Sequence, residues 1–301
     1  MPHDILCMGE VLWDALPDGL FLGGAPFNVA CHLHALGEHA AFVSRVGDDV
    51  LGHEALRRLK ARGLGADLMQ IDASLPTGFV RVALSHSGEP DYEIVEPAAW
   101  DAITLTDALR QRAKHADAIV VGSLAQRAAT SRQTIQAATQ ADALIVFDVN
   151  MRPPYIDQSV IEATLRAADV VKMNEDEMQR ICTWFNLPDD PEAALHALAD
   201  RFSCRALCVT RGAAGARLWH AGRLHTTSGH DIAVADTVGA GDAFLAALLT
   251  GLVAGRTGPT LLDLANRLGA YVASRSGATP TYPLTTLDDI ATLDLTDVAP
   301  A

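Results

Sequence analysis

Strand-length apolar runs alternate along this chain with amphipathic stretches of helix length, and this alternation limits the fold more than any other feature. Continuous apolar strands separated by helices are typical of βαβ units, in which helices cover both faces of a parallel sheet. The predicted strands are 5–8, 41–45, 118–121, 143–148, 169–173 and 206–210. The predicted helices are 27–36, 51–62, 131–140, 160–168, 191–201, 240–252 and 260–274. We therefore expect an α/β fold with a parallel sheet that helices cover on both faces.

Two segments break this alternation. Residues 77–95 read TGFVRVALSHSGEPDYEIV, in which two strand patterns flank the turn signal SGEP at 87–90. This pattern predicts an antiparallel hairpin. Residues 11–22 also look extended, with a turn at PDG, 17–19. We expect one domain over 1–301, with the segments 11–22 and 77–100 forming a small β lid.

Charge and composition exclude several classes of protein. The formal net charge is −14, whereas binding to a nucleic-acid backbone requires a basic face. The longest apolar stretches are of strand length, so no membrane span is expected. The start of the chain lacks a basic segment, and we expect a cytoplasmic protein. The five cysteines are scattered without a C-x-x-C pair, which gives zinc or redox chemistry little support.

The strongest motif is DTVGAGDAF at 236–244, which leads directly into an apolar helical stretch. Small residues at a helix start leave backbone N–H groups open at the positive end of the helix dipole, which favours an anion. A carboxylate, Asp242, stands in the same turn. It is either a catalytic group or an N-terminal helix cap, and this stretch alone leaves both interpretations open.

A second glycine-rich segment, GGAPFNVA, occupies 23–30. Adjacent glycines permit close approach of the backbone to a ligand, and proline suits a first helical turn. Asn28 offers both a donor and an acceptor to hydroxyl groups. The alternative is a loop-to-helix turn with Asn28 on its surface.

Three further segments follow predicted strands, where parallel sheets bind ligands. FDVNMR at 147–152 places Arg152 where it could hold phosphate oxygens. KMNEDE at 172–177 offers oxygen ligands for hydrated magnesium from Asn174 and Glu177, although acidic residues also stabilise helix N-termini. VTRG at 209–212 ends a strand in a tight turn suited to nucleotide phosphates.

Taken together, these motifs resemble the ribokinase-like (PfkB) family of carbohydrate kinases. Residues 23–28, continuing to Gly37 and Gly47, match one family signature, and 236–248 match a second. The resemblance runs from residue 7 to about 278. It implies a ribokinase-like doubly wound sheet with a small β lid, and ATP and Mg²⁺ as cofactors, with K⁺ in many members.

The resemblance also implies roles for individual residues. Asp242 matches the general base, and the amides of Gly239, Ala240 and Gly241 match the anion hole for the transferring phosphoryl group. The implied sugar-binding residues are Asp14, Gly24, Asn28 and Arg152, the last as a contact to phosphate or sugar. The implied ATP-binding residues are Asn174, Thr210, Gly212, Gly241 and Asn266. The implied metal-binding residues are Glu177, through water to magnesium, and Asp236 with the Val238 carbonyl, for a monovalent cation.

Within the family the chain is most similar to bacterial fructokinases, on the segments 9–14, 23–28, 148–152 and 99–101. This similarity implies phosphorylation of the 6-hydroxyl of D-fructose, and a homodimer formed through the lid. Phe27 is larger than the residue expected at this position, so the resemblance does not determine which sugar is the substrate. The alternatives are a 2-keto-3-deoxygluconate kinase, another sugar or nucleoside kinase of the family, and an inactive sugar-sensing homologue.

Overall fold

The computed structural model describes residues 1–16, 19–84, 90–282 and 284–295. Its centre is an eight-stranded sheet with the order β14-β13-β12-β11-β10-β9-β1-β4. These strands are β1 (Asp4–Met8), β4 (His39–Val43), β9 (Ala118–Gly122), β10 (Leu144–Asp148), β11 (Val170–Asn174), β12 (Ala206–Thr210), β13 (Ala216–His220) and β14 (Arg223–Thr227). The pairs from β4 through β12 are parallel, and β12-β13 and β13-β14 are antiparallel.

Helices cover both faces of this sheet. They are α1 (Ala25–Ala35), α2 (Val50–Ala61), α3 (Asp107–Lys114), α4 (Ala129–Ala138), α5 (Gln158–Ala167), α6 (Glu175–Phe185), α7 (Pro191–Phe202), α8 (Ala240–Val253) and α9 (Pro259–Ala273). Successive strand residues point to opposite faces. In β1, Ile5 and Cys7 pack in the core with α1, α8 and α9, whereas Leu6 and Met8 pack in the core with the helices α3 to α7. The sheet is therefore doubly wound.

A second, four-stranded sheet has the order β3-β2-β7-β8. Its strands are β2 (Leu12–Leu16), β3 (Gly19–Gly23), β7 (Gly78–Leu84) and β8 (Pro90–Ile94). β2 pairs antiparallel with β3 and parallel with β7, and β7 pairs antiparallel with β8. The expected hairpin within 77–95 is confirmed. Of the residues in the two predicted turns, 17–18 and 87–89 lie outside the described residues.

One predicted strand is split in the structure. The expected strand 41–45 is replaced by β4, which ends at Val43, and by β5 (Arg45–Gly47), which pairs with β6 (Gln70–Asp72). The Arg45 guanidinium lies 2.8 Å from the Asp72 carboxylate, an ion pair that favours the pairing of β5 with β6. A continuous apolar pattern could not show this break, since it depends on a partner about 25 residues later in the chain.

The structure also contains elements whose ranges the sequence analysis did not predict: α3, α6 and the hairpin β13-β14. Only Leu109 and Ala113 are buried in α3, so its apolar pattern is weak. Within the described ranges, no helix is long and apolar enough to cross a membrane.

Candidate active site

The N-terminus of α8 lies against the segment that follows α9. Gly239 is the N-cap of α8 and has φ 79°, a left-handed conformation that favours glycine. A Cβ at Gly239 would lie 2.4 Å from the Ala278 carbonyl oxygen, so a side chain would also clash there. The cap accordingly supplies no side-chain acceptor to the first amides of α8. Gly239, Ala240 and Gly241, the residues of the expected anion cradle, form this helix start, where the Ala240 amide donates a 3.3 Å hydrogen bond to the Thr237 carbonyl.

Asp242 lies in the first turn of α8 and is only 9% exposed. Its Oδ2 accepts a 2.8 Å hydrogen bond from Nδ2 of Asn28 on α1. Burial and the negative charge of Asp148 raise the pKa of Asp242 to about 6, although Lys172, Asn28 and Arg152 oppose this shift. Since Gly239 occupies the cap position and Asp242 bonds to another helix, this geometry favours the catalytic interpretation over the cap.

The segment 23–28 brings further polar groups beside Asp242. A Cβ at Gly24 would lie 2.4 Å from the Glu10 carbonyl oxygen, and one at Gly23 would lie 2.8 Å from Oδ2 of Asp14. These close approaches explain the two glycines. Asn28 is 4% exposed, not on the surface as the alternative interpretation held, and its Oδ1 has no hydrogen-bond partner among the described residues.

Arg152 is the cation that faces these carboxylates. Its positive charge lowers the pKa of Glu10, Asp14 and Asp242 relative to what burial alone would give. Burial still dominates at Asp14, whose pKa is raised to about 6. The Arg152 side chain is exposed, and its Nη1 donates a 3.3 Å hydrogen bond to the Met151 carbonyl. A guanidinium in this position can bind an anion or a hydroxyl that enters the site.

A buried ion pair, which the sequence analysis did not assign to the site, lies beneath the start of α8. Nζ of Lys172 on β11 lies 3.0 and 3.1 Å from the carboxylate oxygens of Asp148 on β10. A Cβ at Gly241 would lie 3.0 Å from the same Nζ. Burial alone would lower the pKa of Lys172, but Asp148, Asp242 and Glu177 outweigh it and raise the pKa. The only sequence signal was a lysine within an otherwise apolar strand.

Asn174 and Glu177 form a capping box at the start of α6. Oδ1 of Asn174 accepts a 2.8 Å bond from the Glu177 amide, and Oε2 of Glu177 accepts a 2.8 Å bond from the Asn174 amide. Oε1 of Glu177 accepts a 2.7 Å bond from the Met151 amide, so the carboxylate also ties α6 to the loop after β10. The helix-terminus interpretation of this pair is confirmed. Each Glu177 oxygen retains a lone pair that could accept from a metal-bound water.

Three of the expected nucleotide residues, Thr210, Gly212 and Asn266, lie towards the antiparallel side of the sheet. Thr210 ends β12, and its hydroxyl donates to the Met173 carbonyl at 3.4 Å. Gly212 has φ 53°, and the space that a Cβ would occupy there is open, so a ligand can approach it. On α9, Nδ2 of Asn266 donates to Oγ1 of Thr227 and to the Ser228 carbonyl. The fold thus brings Asn266 beside the end of β14.

Asp236 joins two loops that flank the helix start. Its Oδ1 accepts a 2.9 Å bond from the Val238 amide, and its Oδ2 accepts a 3.2 Å bond from the Gly277 amide. Next to this junction, Nε2 of His32 lies 3.0 Å from the Ala278 carbonyl oxygen. Burial lowers the pKa of His32 to about 4, so the ring is neutral at pH 7. These contacts brace the segment that packs on Gly239.

The mostly parallel doubly wound sheet and the small second sheet define a ribokinase-like α/β fold. A crystal structure of a fructokinase with bound ATP from Xylella fastidiosa superposes with a TM-score of 0.82 at 25% identity, over 96% of this chain and 97% of that chain. A fructokinase from Vibrio cholerae O395, in a form with fructose, ADP and calcium bound, gives a TM-score of 0.79 at 26% identity, with coverage of 96% and 97%.

Sequence comparison agrees with this fold. Residues 18–285 match the family described as pfkB family carbohydrate kinase. A fructokinase from Escherichia coli is 33% identical, and one from Klebsiella pneumoniae is 30% identical; both alignments cover 94% of this chain and 97% of the relative. This chain belongs to the pfkB family of carbohydrate kinases, and is an ATP-dependent sugar phosphotransferase.

Proposed function

We propose that this chain is a fructokinase that transfers the γ-phosphoryl group of MgATP to the 6-hydroxyl of D-fructose. The observation that carries this proposal is the buried Asp242 carboxylate, held by Asn28 in the first turn of α8. The substrate follows from the fructokinases that align over 94% of the chain. Neighbouring structures hold ATP in one case, and fructose with ADP in another.

In this proposal Asp242 is the general base. Its pKa of about 6 leaves it ionised at pH 7 and above, yet basic enough to accept the proton of the attacking hydroxyl. The amides of Gly239, Ala240 and Gly241 then stabilise the charge on the transferring phosphoryl group. Phosphoryl transfer depends mainly on positioning and charge stabilisation. Lys172, which lies against Gly241, adds a buried positive charge beside this helix start.

We propose that Asp14, Gly24, Asn28 and Arg152 bind the sugar. Asn28 both orients Asp242 and retains a buried, unpartnered Oδ1 that a sugar hydroxyl can satisfy. The four-stranded sheet supplies Asp14 and serves as the lid over the sugar. The eight-stranded sheet and this lid together constitute one domain over 1–301.

We propose that Asn174, Thr210, Gly212, Gly241 and Asn266 bind ATP, because they follow the carboxyl ends of neighbouring strands or lie on the helices beside them. Among the described residues no group of three His, Cys, Asp or Glu side chains could hold a metal ion. Magnesium retains waters and binds through substrate phosphates and one or two carboxylates, and the Glu177 carboxylate fits this requirement. Glu177 would contact its waters, and bound magnesium would neutralise phosphate charge.

A monovalent cation such as K⁺ would bind Asp236 and the Val238 carbonyl. The carboxylate there already joins two loops beside Gly239, so a cation would strengthen the same junction. We further propose a cytoplasmic enzyme that dimerises through its lid. The exposed Leu20 and Phe21 of β3 support a lid-mediated contact, since they leave an apolar edge on that sheet.

A panel of sugars tests the substrate. ADP release would be measured with fructose, ribose, adenosine and 2-keto-3-deoxygluconate. We expect fructose to give the highest kcat/KM, with the others lower by at least about tenfold, because buried polar groups reject analogues that leave them unpaired. Asn28→Ala should raise KM for fructose much more than KM for ATP.

The keto-acid is the main competing substrate, and the structure weighs against it. Arg81, the lid cation that could bind its carboxylate, lies 3.0 Å from Glu93 in an ion pair. A panel in which the keto-acid gives the highest kcat/KM would contradict the fructose assignment. If the protein phosphorylates none of these sugars, the sugar-sensing alternative gains support. The presence of Asp242, Gly239 and Gly241 argues against that alternative.

A further inference from the structure

Glu10 lies two residues after the end of β1 and is one of the most buried carboxylates of the described chain, at 2% exposure. Its Oε1 accepts a 3.3 Å hydrogen bond from the Ala25 amide, at the N-terminus of α1. Its Oε2 is buried without a hydrogen-bond partner in the described ranges. Buried polar atoms are almost always hydrogen-bonded in native proteins, so this oxygen requires an explanation.

A structural role accounts for only one of the two oxygens. The N-cap of α1 is Gly24, which has no side chain to accept an amide proton. Glu10 supplies that acceptor from outside the helix through Oε1, and its negative charge suits a helix N-terminus. Nothing in this role uses Oε2.

Glu10 lies beside residues of the proposed sugar site. Both Arg152 and Asp242 lie close enough for their charges to act on Glu10, the first lowering its pKa and the second raising it. Burial is the largest influence and brings the pKa of Glu10 to about 7. The backbone of Glu10 also lies directly under Gly24, as the 2.4 Å approach shows. Glu10 therefore lies directly behind the 23–28 segment, which supplies the proposed sugar-binding residues Gly24 and Asn28.

A second buried acceptor near the start of α1 also has no partner among the described residues. Oδ1 of Asn28 lies on α1, the helix that Glu10 caps, and has no partner among the residues described. Two unpartnered acceptors next to Asp242 require two donors. A polyol supplies donors of this kind, because each hydroxyl can donate one proton and still accept.

We propose that Oε2 of Glu10 accepts a hydrogen bond from a ring hydroxyl of the sugar other than the one that is phosphorylated, which makes Glu10 a specificity-determining residue. This inference rests on the proposed sugar-kinase function, but not on fructose as the sugar. Glu10 fixes the position of the sugar ring, while Asp242 acts on the attacking hydroxyl.

The test combines two variants with deoxy sugars. Glu10→Gln retains an oxygen for the Ala25 amide but places an N–H donor where Oε2 lies. Glu10→Met removes both acceptors. The substrate is whichever sugar of the panel gives the highest kcat/KM, together with its single-deoxy analogues. We expect Glu10→Gln to raise KM for the sugar about tenfold or more, with KM for ATP changed less than twofold.

The decisive result is the pattern across the analogues. For one analogue, deoxygenation should lower kcat/KM in the wild type but have little effect in either Glu10 variant. The reason is that the variants already lack the hydrogen bond between Glu10 and the hydroxyl that this analogue is missing. If Glu10 is purely structural, the loss of kcat/KM caused by the variant and the loss caused by deoxygenation should multiply for every analogue. That outcome, or an unchanged sugar KM in Glu10→Gln, would overturn the proposal.

A matched control is Glu38→Gln. Glu38 is a buried carboxylate, 7% exposed, that accepts a 2.6 Å bond from the His3 amide near the opposite end of β1. This variant should leave KM for the sugar unchanged. If the wild type phosphorylates no sugar, the proposed function fails and this inference with it, whereas an active enzyme with multiplicative losses refutes Glu10 alone.

Discussion

Asn28 donates a 2.8 Å hydrogen bond to the Asp242 carboxylate across 214 residues of sequence. The bond joins the first turns of two helices, α1 and α8, which pack against each other on one face of the sheet. It orients one carboxylate oxygen and leaves the other available for a proton. A helix cap would not need a partner from another helix, so this relationship supports the proposal that Asp242 is the general base.

Replacement of Asp242 by Asn should remove the base while it preserves the shape of the side chain. Loss of a general base typically costs about 10²–10⁴ in rate, so we expect kcat to fall at least about 100-fold. ATP binding, measured by calorimetry, should persist. A variant that retains most of its activity would show that Asp242 is a structural residue only.

The rate should also depend on pH in a defined direction. Burial raises the pKa of Asp242 to about 6, so the proton-accepting form is lost at a higher pH than for an ordinary aspartate. We therefore expect kcat to decrease as pH falls through about 6 and to level off above about 7. The measurement is a pH–rate profile at saturating substrates between pH 5 and 8.5. A flat profile over this range would contradict the assignment.

Replacement of Gly239 by Ala should impair activity and stability together. The residue has φ 79°, and the added Cβ would lie 2.4 Å from the Ala278 carbonyl oxygen. Gly255→Ala is a matched control, because Gly255 has φ 73° at the other end of α8 but open space around its Cβ position. Left-handed strain alone costs about 1 kcal/mol for a non-glycine residue.

We expect Gly255→Ala to lose only about 1 kcal/mol of stability, the cost of the left-handed strain, and to keep its kcat. Gly239→Ala should lose more stability, and its kcat should fall at least about tenfold. Thermal denaturation and steady-state kinetics distinguish the two. Equal behaviour of both variants would mean that the contact with Ala278 does not position the helix start.

The buried pair of Asp148 and Lys172 can be tested by single and double replacement. Lys172→Met leaves the Asp148 carboxylate buried without its partner, which typically costs about 3–5 kcal/mol. Combining it with Asp148→Asn should restore much of the stability, because no unpaired charge remains. If Lys172 contributes charge to phosphoryl transfer, the double variant should stay low in kcat. Recovery of both stability and kcat would restrict the pair to a structural role.

Dependence on a monovalent cation tests Asp236. We expect higher activity of the wild type in potassium than in a bulky organic-cation buffer. Asp236→Ala should lose this difference and also lose activity, since the two loops that its carboxylate joins would relax. Equal wild-type rates in the two buffers would remove the cation site from the proposal.

The sequence alone determined the alternation of strands and helices and the two glycine-rich segments, because both are local patterns. Apolar strands, helix periodicity and the run 236–244 need no knowledge of distant residues. The split of the predicted strand 41–45 was not accessible in this way, since β5 pairs with β6 through a contact outside the pattern.

Only the tertiary structure decided which side chains lie together at the proposed site. Glu10 lies shortly after a predicted strand and Lys172 lies within an apolar strand, and neither position by itself indicates a ligand-binding residue. Folding places Glu10 against the start of α1 and Lys172 under Gly241. The pKa of Glu10 and the unpartnered Oε2 arise from burial by residues far away in the chain. Desolvation and hydrogen-bond geometry depend on packing, and no local sequence pattern encodes them.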